Sequence, residues 1–114
     1  MAMPSHGDLY RFCTGFPNVI LDHPWGDTVF KVKKKIFVFA SNPDRPLSVT
    51  IKIPTDLREL WLPHPQTFIP SYVGRFGWLG IHIVDDETWM MAQVGIHASY
   101  DLVRGPSKSL KGST

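Results

Sequence analysis

Between Leu47 and Ile53 the chain alternates without a fault: Leu47, Val49, Ile51 and Ile53 are apolar, while Ser48, Thr50 and Lys52 are polar. A period of two sends successive side chains to opposite faces, so this segment reads as a half-buried β-strand. Its neighbours read the same way. Residues 28–33 alternate, with Val29, Lys31 and Lys33 on one face and Phe30 and Val32 on the other. Residues 36–40, Ile-Phe-Val-Phe-Ala, are apolar throughout, as in a central strand covered on at least one face. Lys34-Lys35 forms the hairpin turn between these two, and Asn42-Pro-Asp-Arg-Pro46 forms the next, rich in residues that preset turn dihedrals.

Two further strands complete the pattern. Residues 19–25 are interrupted by Pro24, which suits a strand end or an edge. Residues 78–84 place Leu79, Ile81 and Ile83 on one face and Trp78, His82 and Val84 on the other. Helical spacing appears at both termini. Ser5 followed by Asp8 resembles a capping box, and Leu9, Phe12, Cys13 and Phe16 recur at helical intervals before Gly15 and Pro17 stop the helix. A short helix opens after Pro54 through Leu57, Leu60 and Trp61. A longer one starts at Asp85 or Asp86, where acids suit the helix dipole, with Met91, Val94, Ala98 and Leu102 as its expected apolar stripe. The expected fold class is α+β: a single antiparallel sheet of about five strands with helices packed on one face. One domain spans residues 1–104, and residues 105–114 form a polar, disordered tail.

With 114 residues the chain can bury a core without disulfide or metal. Cys13 is its only cysteine, which excludes an internal disulfide and reads as a small core residue. No run approaches the ~18 apolar residues of a spanning helix. These features place the chain in the cytoplasm, with no membrane partner. The five histidines, His6, His23, His64, His82 and His97, show no paired ligand spacing. Asp85-Asp86-Glu87 is more simply a helix cap than a cation site. No nucleophile elbow, P-loop or dinucleotide fingerprint is present, so no cofactor, metal or catalytic residue is assigned and the chain reads as a non-enzyme.

Charge carries the functional signal through its distribution. The net charge is only +2, but residues 28–58 hold seven Lys or Arg against two Asp, whereas residues 85–103 hold four acids and no Lys or Arg. Such a molecule is two-sided and can orient near a polyanion. Lys31, Lys33, Lys34 and Lys35 at a hairpin, with Arg45 on the next turn, can reach phosphate oxygens; equally, lysines protect strand edges and solubilise turns. Thr50, Lys52, Trp78 and His82 share the face away from the helices, where rings beside cations make a stacking platform. Trp78 packing under the long loop as a second core is the competing reading.

Several landmarks run in order: Phe16-Pro17, Pro24-Trp-Gly-Asp27, Lys35-Ile-Phe37, Val49-Thr-Ile-Lys52, Pro70-Ser-Tyr-Val-Gly-Arg-Phe-Gly-Trp78 and Ala98-Ser-Tyr-Asp-Leu-Val103. Together they resemble the signature of the MmcQ/YjbR family over roughly residues 8–103. The resemblance implies a frataxin-like (CyaY-like) α+β domain of bacterial origin, with hairpins proposed as double wings on DNA. Phe76 departs from the histidine frequent in the Gly-Arg-x-Gly-Trp segment, and Trp89-Met90-Met91 stands where charged residues are common. Iron binding is set aside, because the first helix carries only Asp8 as an acid.

The leading expectation is a DNA-binding protein using Lys31, Lys33, Lys34, Lys35 and Arg45 for phosphates, with Lys52, Arg75 and Trp78 on the adjoining face. The alternative is a non-enzymatic module for a small molecule or a protein partner, with the 63–77 loop closing over Trp25, Tyr72, Trp78 and His82. A third surface is the last helix, through Trp89 and Met90.

Overall fold

In the computed structural model, which describes residues 3–70 and 77–105, three helices and six strands form an α+β domain. The sheet is antiparallel throughout, in the order β1-β2-β3-β4-β6-β5. The strands are β1 (Ile20–Asp22), β2 (Thr28–Val32), β3 (Lys35–Ala40), β4 (Ser48–Lys52), β5 (Thr67–Phe68) and β6 (Trp78–His82). The sequence pattern accounts for five of these. The sixth, β5, lies inside the segment expected to be an open loop, and it pairs with β6 through Thr67↔Ile81 and Phe68↔Gly80.

Helix α1 (His6–Thr14) begins with the expected capping box: the Asp8 amide donates to Ser5 Oγ, and the Ser5 amide donates to the Asp8 carboxylate. Helix α2 (Thr55–Trp61) follows Pro54. Helix α3 (Asp86–Arg104) is capped by Asp85, whose carboxylate accepts from the Thr88 amide. All three feed one core. Leu9 and Cys13 of α1 and Ala92, Ile96 and Tyr100 of α3 are buried with Phe30, Val38, Ile51, Leu79 and Ile81 of the sheet, and Leu57 and Trp61 of α2 pack against them.

The buried face of α3 differs from the expected stripe. Thr88, Ala92, Gly95, Ile96, Ser99 and Tyr100 are buried, whereas Val94 is 48% and Leu102 45% exposed. Close approach explains the shift. A Cβ on Gly95 would run into the Ile51 side chain and stand 3.0 Å from the Trp61 ring. Only small residues let the helix axis lie this near the sheet, so the contact face is small and partly polar rather than strongly apolar.

The face away from the helices is not bare. Val29, Phe39 and Trp78 lie on it, in register with Thr50 and Lys52. Val29 is fully buried, and Trp78 packs edge-to-face on Phe39 at 5.3 Å between ring centroids. Beside them the Phe68 ring covers Gly80, whose missing side chain makes the space, and lies tilted against the His82 ring at 4.5 Å.

Candidate nucleic-acid interface

The β2–β3 connection is the tightest kind of hairpin. Val32 pairs with Lys35, leaving Lys33 and Lys34 as a two-residue loop, with φ of +52° and +67°. Two positive φ values mark the mirror-image turn whose twist matches the strands it joins, a turn that normally selects Asn-Gly. For residues with a Cβ the left-handed conformation costs about 1–2 kcal/mol each. The turn therefore lies one residue earlier than the Lys34-Lys35 expected, and Lys35 is the first residue of β3. Lys33, Lys34 and Lys35 are all exposed, and none has a carboxylate partner among the described residues.

The remaining cations of the expected patch separate into three situations. Lys31 points across the sheet to the edge strand, where its Nζ lies 2.8 Å from Asp22 Oδ2. This bond, helped by the His23 amide, holds the Asp22 carboxyl below its ordinary value. Lys31 is thus engaged in clamping β1 to β2, unlike Lys33, Lys34 and Lys35. Lys52 stands on β4 opposite Trp78. It is level with Phe37 of β3, so the rise back to Lys35 is about 7 Å along the strand direction. Arg45 is elsewhere: it lies in the β3–β4 loop, its amide bonded to the Asn42 carbonyl, and the length of β3 puts it ~20 Å from the hairpin tip.

Trp78 is 8% exposed and offers little ring face for a base. The second-core reading fits it better than the stacking platform. Its carbonyl accepts a hydrogen bond from Arg58 Nε at 3.2 Å, a role for Arg58 that no sequence signal indicated. Of the alternative pocket, Trp78 and His82 sit four residues apart on β6, and the His82 ring already lies against Phe68. Tyr72 and Arg75 fall outside the described residues, as do Phe76, residues 106–114 and the side chain of Trp25.

The acids gather at the opposite end of the strands. The Ile83 amide bonds to the Leu47 carbonyl, so β6 finishes beside the start of β4, and Asp85, Asp86 and Glu87 follow immediately. The Thr88 backbone and hydroxyl hold the Asp85 carboxyl below its ordinary value. His64 Nδ1 accepts from the Gln66 amide, which leaves Nε2 to carry the hydrogen donated to Glu87 Oε1 at 3.0 Å. Burial pushes the Cys13 thiol up to about 12, so it is a packing residue and not a nucleophile. Among the described residues no group of three possible metal ligands occurs, and no helix is long and apolar enough to cross a membrane.

The charge therefore runs along the strands, with lysines at the β2–β3 tip and carboxylates at the start of α3. A family model named YjbR matches residues 14–102, from the end of α1 through nearly all of α3. The chain belongs to the YjbR family. The matched region holds the entire sheet of this YjbR domain, its lysine tip and its acidic end. No curated protein matches the chain.

Within the YjbR domain the Pro24-Trp-Gly-Asp27 landmark becomes a single 3-10 turn, Pro24–Gly26, with Gly26 at φ +83°. Asn42 locks it from across the sheet, donating Nδ2–H to the Gly26 carbonyl at 2.9 Å and accepting from the Thr28 hydroxyl. Asn42 could have been suspected only as a turn residue. Its second job depends on two loops meeting at one end of the sheet.

Proposed function

We propose that this YjbR domain is a non-enzymatic DNA-binding protein that contacts duplex phosphates with Lys33 and Lys34 at the hairpin tip, assisted by Lys35 and Lys52. The observation that carries this reading is the pair of tip lysines with positive φ. Stability favours Asn-Gly at those two positions, and strain kept in a non-glycine turn is a mark of functional selection. A two-stranded ribbon of this width enters the major groove, and lysine contacts to phosphate need no particular base sequence. The buried Trp78 supports a backbone-directed mode over base stacking.

Titration of a 20-base-pair duplex against salt tests the reading. Four lysine contacts give a slope of log K on log salt of about −3 to −4. A K33Q/K34Q/K35Q variant should flatten that slope by about 2 to 3. Binding that ignores salt, or that survives the triple substitution, overturns the assignment.

A further inference from the structure

The sheet ends at β1, which pairs only with β2 and leaves Ile20 and Leu21 63% and 42% exposed. The phase of the ladder fixes which backbone groups of this edge face outward. A residue in an antiparallel strand directs both N–H and C=O to one neighbour, and the next residue directs both to the other side. The Ser41 amide, just past β3, donates to the Ser48 carbonyl of β4 at 3.0 Å, so Phe39 faces β4 while Val38 and Ala40 face β2. Their partners Phe30 and Thr28 face back, which leaves Val29 and Lys31 to bond Asp22 and Ile20 of β1. Leu21, and Val19 in the same phase, therefore turn N–H and C=O away from the sheet. His23 shares that phase but is already used: its amide donates to Asp22 Oδ1 at 2.8 Å, and its carbonyl accepts from the Gly26 amide.

We infer that β1 pairs with β1 of a second copy of this chain, antiparallel about a two-fold axis, joining two sheets into one. Register selects the occupant. With Ile20 opposite the partner's Ile20, Val19 meets the partner's Leu21 and Leu21 meets the partner's Val19. Both outward pairs then exchange N–H and C=O, two bonds each, so every outward group that is free on one edge finds its counterpart on the other. A slip of two residues in either direction loses bonds. One slip sets Val19 against His23, whose groups are taken. The other sets Leu21 against Pro17, which has no N–H and lies beyond Asn18, where φ of +64° ends the extended chain. The side chains agree with the same register. Ile20 meets Ile20 on the face away from the helices, Val19 meets Leu21 on the other, and the Asp22 carboxylate is neutralised by Lys31. Backbone groups alone would accept any extended strand; a stretch that is its own complement, in bonds and in apolar contacts, selects a copy of itself. The overlap is short, below the ~1,200 Å² of a stable complex, so the dimer is weak and forms at high concentration. The two-fold axis sends the two lysine tips in opposite directions, which makes this contact independent of the tip.

Sedimentation of the full chain tests the pairing: a dimer is expected at about 1 mM chain and a monomer after dilution by about a hundredfold. Ile20→Lys sets two ammonium groups opposite each other and should weaken the dimer about tenfold or more. Cysteines read the register. In a non-hydrogen-bonded pair the Cα atoms of Ile20 and the partner's Ile20 lie about 4.5 Å apart, within disulfide range, whereas Leu21 stands about 8 Å from the partner's Leu21. With oxidised glutathione as the oxidant, I20C is expected to cross-link about tenfold faster than L21C; the native Cys13 is buried and does not compete. Both positions are exposed, and unchanged circular dichroism and melting show that the fold survives. A chain that stays monomeric at the higher concentration overturns the inference, as does a dimer indifferent to I20K. Cross-linking of L21C as fast as that of I20C overturns the register and with it the choice of partner. K33Q/K34Q/K35Q should leave the dimer intact, whatever it does to DNA binding, and a dimer dissolved by that variant would place the contact at the tip instead.

Discussion

Ser99 of α3 donates its hydroxyl hydrogen to the carbonyl of Phe37 in β3 at 2.6 Å. Phe37 is the extra residue of a β-bulge, since Phe30 pairs with Val38 and the next residue, Lys31, pairs with Ile36. The bulge takes Phe37 out of the ladder, and the same hydroxyl accepts from the Lys52 amide on β4 at 3.1 Å. One fully buried side chain thus bridges two backbone groups that β3 and β4 do not pair with each other. Ser99→Ala orphans a buried carbonyl and a part-buried amide together. A loss of about 2–4 kcal/mol is expected, read as a fall in the urea midpoint at unchanged slope. A loss within 0.5 kcal/mol would show that the bridge is dispensable.

Gly95 poses the opposite case. Helix propensity alone makes Gly95→Ala stabilising by about 1 kcal/mol. The added methyl would collide with Ile51 and press on Trp61, and overpacking of this kind costs about 1–3 kcal/mol. Thermal melting should therefore show a lower midpoint for the alanine variant. A higher midpoint would mean that α3 can move off the sheet without penalty.

The tip allows stability and binding to be driven in opposite directions. Exchanging Lys33-Lys34 for Asn-Gly relieves two left-handed residues at about 1–2 kcal/mol each, so the melting temperature should rise while the affinity for duplex DNA falls. Arg45→Gln, at the far end of β3, should leave that affinity within about twofold. Equal losses for K34Q and R45Q would contradict an interface confined to the tip.

Acid sensitivity follows from three carboxylates. Asp8, Asp22 and Asp85 are each held below their ordinary value of 3.8, mainly by the Ser5 amide, by Lys31 and by the Thr88 amide respectively. A depressed native value means the contribution is complete above 3.8 and is lost as pH falls through the lower native values. Unfolding followed from pH 6 to pH 2 should show its decline confined to the acid end, and Asp85→Asn should shrink that decline. An unaltered acid limb in Asp85→Asn would remove Asp85 from the account.

Much of this fold is legible from pattern. Leu47 to Ile53 alternates because β4 is covered by helices on one side only, and Ser5 with Asp8 announces α1 because a cap is a local device. The misreadings have a common origin in contacts between residues distant in sequence. Thr67 and Phe68 are too few to show a period, and they become a strand only because Ile81 and Gly80 are there to pair with. The buried face of α3 is chosen by how near Ile51 and Phe37 come, so Gly95 and Ser99 are inside while Val94 is outside. In the basic cluster, adjacency in sequence joined Lys31 to Lys33, yet pleating turns Lys31 toward Asp22 and the turn lifts Lys33 away.

The separation of lysines and acids along the strand axis makes net charge a poor descriptor of this molecule. Exchanging Lys34 and Glu87, one for the other, would leave the charge at +2 and the amino-acid composition untouched. The isoelectric point of such a double variant would not move, whereas the molecule's electric dipole, and with it any preferred orientation beside a charged rod, would be sharply reduced.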